Sequence, residues 1–416
     1  MKHFYIPLIV LILASSCKNT SSSNNQNTVV VNDTTETQTL PPVETRAANT
    51  DYEPAFEGQT RIAGVKTTTP YRVTEITDDL DAPWGIAVLP DNRLLITEKE
   101  GDMRIVNPET GDIGDEINGI PNVDDRGQGG LLGLTLAPDF ESDRMVYWVF
   151  SERVSGGNHT AVAKGRLSED EKSIENATVI YRAKPTYDGD KHYGGRIIFD
   201  NDGNLFVSIG ERSDQEPRVL AQDLSTSFGK IIRITTDGEA VSGNPFENEP
   251  NALPEIYSYG HRNPQGLDFH PETGDLWSNE FGPRGGDELN LIKPGLNYGW
   301  PVITYGIEYS GREIGNPPIQ QKEGMEQPVY YWDPVLSPSG MTFYTASNIP
   351  EWKNNLFITG LNSSHIARIV IEDNRVVGEE RILDDKGQRF RDIVQGNDGA
   401  LYTVTDEGRL YKIDRE

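Results

Sequence analysis

The chain has 416 residues, with 65 Asp and Glu against 38 Lys and Arg, for a formal net charge of −27. A field of that sign repels nucleic acid, which is excluded as a partner, and it obliges any anionic ligand to find a local cluster of cations. The single Cys forms no disulfide within the chain.

Met1 to Cys17 reads as an export signal. Lys2 and His3 make a short polar start, Phe4 to Leu13 an apolar run, and Ala14, Ser15 and Ser16 are small residues before Cys17. The apolar run is too short to span a bilayer as a mature helix. A lone Cys straight after small residues resembles a bacterial lipobox, although Ala14 stands where that motif usually has Leu. The expectation is an exported lipoprotein, anchored at Cys17 and facing the periplasm or the cell surface. Residues 18–68 open with the polar tract Ser21 to Gln26 and stay poor in large apolar side chains. Such a stretch buries too little surface to offset its chain entropy, which predicts a flexible tether.

Residues 69–416 exceed the usual size of one core, so a repeat architecture is expected. A pattern of two short apolar strands around a turn recurs at intervals of roughly 50 to 75 residues, as repeat architectures do. It appears as Trp84–Val88, Pro90–Asn92 and Leu94–Glu98, and again around Gly133–Leu136 and Val146–Val149. The later copies are Gly195–Phe199 with Leu205–Ser208, Gly266–Phe269 with Leu276–Ser278, Gly340–Phe343 with Leu356–Thr359, and Arg391–Val394 with Leu401–Val404. Each is a hairpin by turn chemistry and alternation. The predicted fold is all-β: a six-bladed β-propeller of four-stranded antiparallel blades, with Tyr71 to Thr77 joining the last blade to close the ring. Residues at equivalent blade positions then meet at one mouth of the channel.

Four clusters carry chemistry. His192 precedes the inner strand of the third blade, and Glu211 ends the same hairpin, which brings the two side by side; a carboxylate beside an imidazole fixes its tautomer and suits a general base. Arg262 and Asn263 enter the fourth blade, and Arg389 and Arg391 enter the sixth, sharing one face of a strand. Three Arg so placed in so acidic a protein suit a planar polyanion. The Gly-rich stretch Asn279–Glu288 and the segment Asn297–Pro301 present oxygens of the kind that bind Ca²⁺.

Together these segments resemble the soluble PQQ-dependent glucose/aldose sugar dehydrogenase family over roughly residues 70 to 413. The resemblance rests on Gly127–Gly133, Gly260–Gly266, Glu280–Trp300 and Arg389–Asp392, in that order and with His192 in place. It implies a six-bladed propeller holding the quinone cofactor PQQ and Ca²⁺ and oxidising a small aldose to its lactone, with electrons passing to an unidentified acceptor. It implies that His192 is the general base and Glu211 its orienting carboxylate. Gln128, Arg262, Asn263, Arg389 and Arg391 match cofactor contacts. The carbonyls of Gly282 and Pro283 match ligands of the Ca²⁺ beside PQQ, and Glu288 and Tyr298 match a second, structural Ca²⁺ site. Asn362 stands where the family often has a Lys against the cofactor. Two other readings stay open on the sequence: a metal-dependent lactonase, and an anchored propeller that binds a glycan or protein without catalysis.

Overall fold

Leu-initiated strands buried on both faces dominate the architecture. Leu94–Glu98, Leu205–Ile209, Leu276–Glu280, Leu356–Gly360 and Leu401–Thr405 are each five residues long and buried throughout. A strand of a lone sheet exposes one face; these do not, because each sheet is sandwiched between two others. The computed structural model describes residues 40–416. The expected export signal with Cys17, and the part of the expected tether up to residue 39, lie outside the described residues.

The described strands sort into six antiparallel sheets, five of them built from strands that follow one another in sequence. Blade 1 is Pro83–Val88, Leu94–Glu98 and Asp102–Val106. It has three strands where four were expected, with Ile113 bridging Val106 at its outer edge. Blade 2 is Leu131–Leu136, Met145–Val154, Gly157–Leu167 and Ile174–Arg182. Blade 3 is Ile197–Phe199, Leu205–Ile209, Lys230–Ile234 and Ile256–Tyr259. Blade 4 is Pro264–Phe269, Leu276–Glu280, Asp287–Ile292 and Tyr330–Trp332. Blade 5 is Pro338–Phe343, Leu356–Gly360, Ile366–Glu372 and Arg375–Ile382. Blade 6 joins Phe390–Gln395, Leu401–Thr405 and Leu410–Arg415 to Tyr71–Thr77, with Tyr71 opposite Arg415 and Val73 opposite Ile413. The innermost strands touch in order around a closed ring. The six-bladed propeller read from the repeats is the observed fold.

The core lies between blades. Leu95, Met103 and Ile105 of blade 1 pack on Trp148 and Phe150 of blade 2, and Trp277 and Leu289 of blade 4 on Met341 and Ile358 of blade 5. The inner hairpins turn on a left-handed residue: Asn92 in blade 1, Gly203 (φ +79°) in blade 3 and Gly274 (φ +71°) in blade 4. A Cβ at Gly203 or Gly274 would meet nothing within 4 Å, so glycine serves the backbone angle there and not the space.

Residues 40–68 depart from the expected tether. They run along blades 4 and 5 and supply partners to their outer edges. The amide of Tyr331 donates to the Gln59 carbonyl (2.9 Å), Val65 donates to Glu379 (3.0 Å), and Glu379 donates to Ala63 (3.2 Å). Gln59 is fully buried, and its Nε2 donates to the Pro328 carbonyl at 2.9 Å. Thr67 gives both its N–H and its hydroxyl to Glu380. The polar composition that signals a flexible chain here satisfies the free backbone groups of edge strands.

Leu401, fully buried between blades 5 and 6, tests the interblade packing. Leu401→Ala is expected to cost about 2–5 kcal/mol in urea unfolding, the range for a buried leucine that leaves a cavity. A loss below about 1 kcal/mol would show the blades to be loosely packed.

Candidate active site

Hairpin geometry assembles the central pair. The blade 3 hairpin carries the chain from His192 out and back to Glu211, 19 residues on, and His192 Nδ1 lies 2.9 Å from Glu211 Oε1. The other Glu211 oxygen accepts from the Ser213 amide at 2.7 Å, and Glu211 is fully buried. A carboxylate accepts only, so the imidazole carries its proton on Nδ1 and leaves Nε2 as an acceptor. Nε2 has no hydrogen-bond partner among the described residues, and His192 lines a cavity of about 470 Å³. Burial lowers the His192 pKa to about 4; the nearby Arg262 charge adds to the effect, and Glu211 only partly opposes it. His192 also holds a left-handed backbone (φ +49°), fixed by Gln128 Oε1, which accepts from its amide at 2.9 Å.

Blade 4 repeats the arrangement with a different outcome. His261 Nδ1 sits 3.0 Å from Glu280 Oε1, again 19 residues on. Its Nε2, however, is 2.8 Å from the Ser258 hydroxyl, and its ring stacks on Tyr298 at 4.7 Å. His261 is therefore a structural residue. Only His192, of these two, keeps a nitrogen free toward a cavity.

A second cavity of about 360 Å³ adjoins the first, and both share Gln128, Phe281, Leu361 and Arg389. Its charged lining is Lys99, Arg389, Arg391 and Asp406. Arg389 Nε and Arg391 Nε each lie 2.8 Å from one oxygen of Asp406. Burial pushes the Asp406 carboxyl up, but the two guanidiniums outweigh it and hold it below its ordinary value. The cavity thus holds three cations against one carboxylate, and Trp84, Tyr193 and Phe281 give it flat walls. Arg391 lies over the Trp84 ring, 5.8 Å from its centre.

The other expected residues divide into two groups. Asn362 is exposed and lines the His192 cavity. Arg262 and Asn263 are buried one layer back. Arg262 Nη1 donates to the carbonyls of Phe281 (3.1 Å) and Gly282 (2.6 Å), and its Nε is buried without a partner; Asn263 Oδ1 accepts from the Gly194 amide at 3.0 Å. Gly282 and Pro283 line the cavity beside His192, and Asp287 anchors their loop by accepting from the Gly282 amide at 2.9 Å. Glu288 and Tyr298 belong to a separate cluster around His261. Glu288 faces Glu280 across a strand pair, and burial, reinforced by the Glu280 charge, pushes its carboxyl up. Asn290 Nδ2 bridges both carboxylates at 3.0 and 3.1 Å, while its Oδ1 is buried with no donor. Two facing carboxylates and an orphan amide oxygen suit a cation. Tyr298 commits its hydroxyl to the Leu291 carbonyl and the Lys293 amide, so only its own carbonyl is available to one.

Sequence reasoning missed Trp84, Lys99, Asp287, Asp406 and Asn49. Asp406 had a signal: it ends the hairpin that Arg389 opens, as Glu211 does for His192. Asn49, within the expected tether, had none.

The family pattern described as Glucose / Sorbosone dehydrogenase matches residues 80–412. The chain belongs to this family. It is 43% identical over 345 residues to aldose sugar dehydrogenase YliI of Escherichia coli, covering 82% of this chain and 92% of that protein. The solved apo-form of the soluble aldose sugar dehydrogenase of Escherichia coli superposes with a TM-score of 0.79 at 41% identity, covering 83% of this chain and all of that one. The PQQ-bound aldose sugar dehydrogenase of Streptomyces coelicolor superposes at 0.68 and 31% identity, covering 84% and 100%.

The lowered His192 pKa has a sign in stability. Between the ordinary imidazole value of 6.5 and about 4, the unfolded chain binds a proton that the folded chain refuses. The contribution of His192 to stability is therefore lost as pH falls through that window and is constant above it. His192→Gln should flatten the acid side of the stability–pH curve, read from urea midpoints; an unchanged slope would contradict the assigned protonation state.

Proposed function

We propose that this protein oxidises an aldose at C1 to its lactone, with PQQ as the acceptor and Ca²⁺ beside it. The observation that carries the reading is the free Nε2 of His192 in a cavity that adjoins a cationic, flat-walled one and shares four lining residues with it. The donor set fits: PQQ is planar and bears three carboxylates, which Arg389, Arg391 and Lys99 would meet, with Gln128 and the layer of Arg262 and Asn263 supporting the loops around it. Asn362 removes one expected charge at the rim, and Lys99 supplies one from blade 1. Carbonyl oxygens of Gly282 and Pro283 would hold the catalytic Ca²⁺; the pocket of Glu280, Glu288 and Asn290, with the Tyr298 carbonyl, would hold a structural one. Relatives named aldose sugar dehydrogenase, one of them solved with PQQ, support the reading.

Bound PQQ supplies two-electron acceptance of the C1 hydride, which Ca²⁺ promotes as a Lewis acid. The protein manages the proton. His192 Nε2 takes it from the anomeric hydroxyl as the C1–H bond breaks. Glu211 holds the ring in the correct tautomer and stabilises the imidazolium that forms. Because burial keeps His192 neutral well below pH 6.5, the base is ready across the neutral range. The imidazolium would then release that proton to solvent, and an unidentified acceptor would take the electrons.

The site of action belongs to the same proposal. Met1 to Cys17 directs export, and a lipid on Cys17 anchors the propeller to a membrane face. Residues up to 39 would then act as the tether.

The test is dye reduction by the protein loaded with PQQ and Ca²⁺, across a panel of aldoses, with chelation expected to abolish it. His192→Ala should keep PQQ binding and lose about 10²–10⁴-fold in kcat, the range for a positioned base. Normal turnover in that variant, or no PQQ binding by the wild type, would overturn the proposal.

A further inference from the structure

The His192 cavity is walled in part by a residue outside the family-matched region. Asn49 lines it, together with Arg284 and Tyr309, and Asn49 lies well before the matched stretch 80–412. The segment is pinned there by several independent bonds. Asp333, buried at the outer edge of blade 4, accepts from the Asn49 amide (2.8 Å) and from Asn49 Nδ2 (2.9 Å) through one oxygen. Its other oxygen accepts from the Thr50 amide and hydroxyl, both at 3.2 Å. Arg61 ties the segment to itself and to blade 4, donating to the carbonyls of Glu44, Arg46 and Asp333.

Asn49 then reaches the site. Its Oδ1 accepts from Arg284 Nε at 3.1 Å, and its Nδ2 is fully used by Asp333 and the Pro334 carbonyl (3.0 Å). With both amide hydrogens committed, Asn49 has no donor left for a substrate. Arg284 has. Its backbone is locked by exchanging hydrogen bonds with Ile307, at 2.9 and 3.1 Å, and its Nε is held by Asn49. Its two terminal nitrogens have no partner among the described residues, and the residue is exposed in the cavity that holds His192. The fit around it is close: a Cβ on the neighbouring Gly285 would stand 2.7 Å from Asp333 Oδ1 and 3.2 Å from Asn49 Nδ2.

Resting on the reading of the site as an aldose dehydrogenase, we propose that Arg284 is a specificity-determining residue for the sugar and that Asn49 is its positioning residue. A guanidinium offers two parallel N–H donors, which match the oxygens of a vicinal diol. His192 addresses the anomeric hydroxyl, so Arg284 addresses hydroxyls elsewhere on the ring. A strap from outside the propeller thereby sets how tightly the substrate is held, without taking part in the chemistry.

The experiment uses the PQQ- and Ca²⁺-loaded full chain with Asn49→Ala, Arg284→Ala and the double variant. Two readouts are taken: steady-state kinetics on aldoses, and calorimetric binding of the matching aldonolactone, which needs no turnover. Arg284→Ala should raise KM about tenfold, leave kcat within about twofold, and weaken lactone binding about tenfold. Asn49→Ala should raise KM less, and should add nothing in the background lacking Arg284, because it acts through that residue. Arg284→Lys, which keeps the charge but not the fork, should recover only part of the loss. Unchanged KM and lactone affinity in Arg284→Ala would overturn the proposal, as would an Asn49→Ala effect of equal size with and without Arg284. A fall in PQQ affinity with KM unchanged would overturn it too, since the strap would then serve the cofactor. If the wild type binds lactone, with the expected loss in Arg284→Ala, but oxidises no aldose, the dehydrogenase reading falls and the sugar contact stands.

Discussion

Six blades make a ring only if the last meets the first, and that junction is the pairing of Tyr71–Thr77 with Leu410–Arg415. The cavity exists because the ring closes. Trp84 and Lys99 come from the first strand of blade 1 and from the turn between its second and third strands, Gln128 from the approach to blade 2, and His192 from the approach to blade 3. Phe281, Leu361 and Arg389 come from loops beside blades 4, 5 and 6. No single blade holds even half of this lining. Strand burial on both faces keeps each contributor at a fixed angle to the next, so a small site is built from residues hundreds of positions apart.

Charge distribution is the second organising fact. The chain as a whole is strongly acidic, yet one cavity collects Lys99, Arg389 and Arg391 around a single carboxylate. Asp406 keeps the two guanidiniums in place without neutralising both. The same economy appears at the imidazoles. Blades 3 and 4 each place a His beside a Glu at the same spacing, and what separates a ring nitrogen left open to a cavity from one already bonded is one serine hydroxyl on His261 Nε2.

Much of the fold was legible in the chain. Hairpin turns at Pro90–Asn92, Asn201–Asn204 and Pro271–Gly274 sit where their chemistry places them, and Tyr71–Thr77, a strand standing before the first repeat, closes the ring as expected. The missing fourth strand of blade 1 was not legible, because an edge strand is decided by what covers it. Residues 40–68 show the same limit more sharply. Their polar side chains signal a free chain in isolation, and only partners on blades 4 and 5, among them the carboxylates of Asp333, Glu380 and Glu351 and the backbone of Tyr331 and Glu379, turn them into a docked strap.

By itself, the sequence determined the local elements: where strands turn, which His has a Glu returning to it along a hairpin, and which loops concentrate Arg or Gly. These depend on interactions within about 20 residues, where the chain itself sets the distance. Only the tertiary structure decided what lies behind what. It put Arg262 and Asn263 a layer beneath the cavity, set Glu280 against Glu288, left Nε2 of His192 free while occupying that of His261, and brought Asn49 to Arg284. Those outcomes depend on packing between blades, where the partners are set by ring closure and interblade burial, and no spacing along the chain records it.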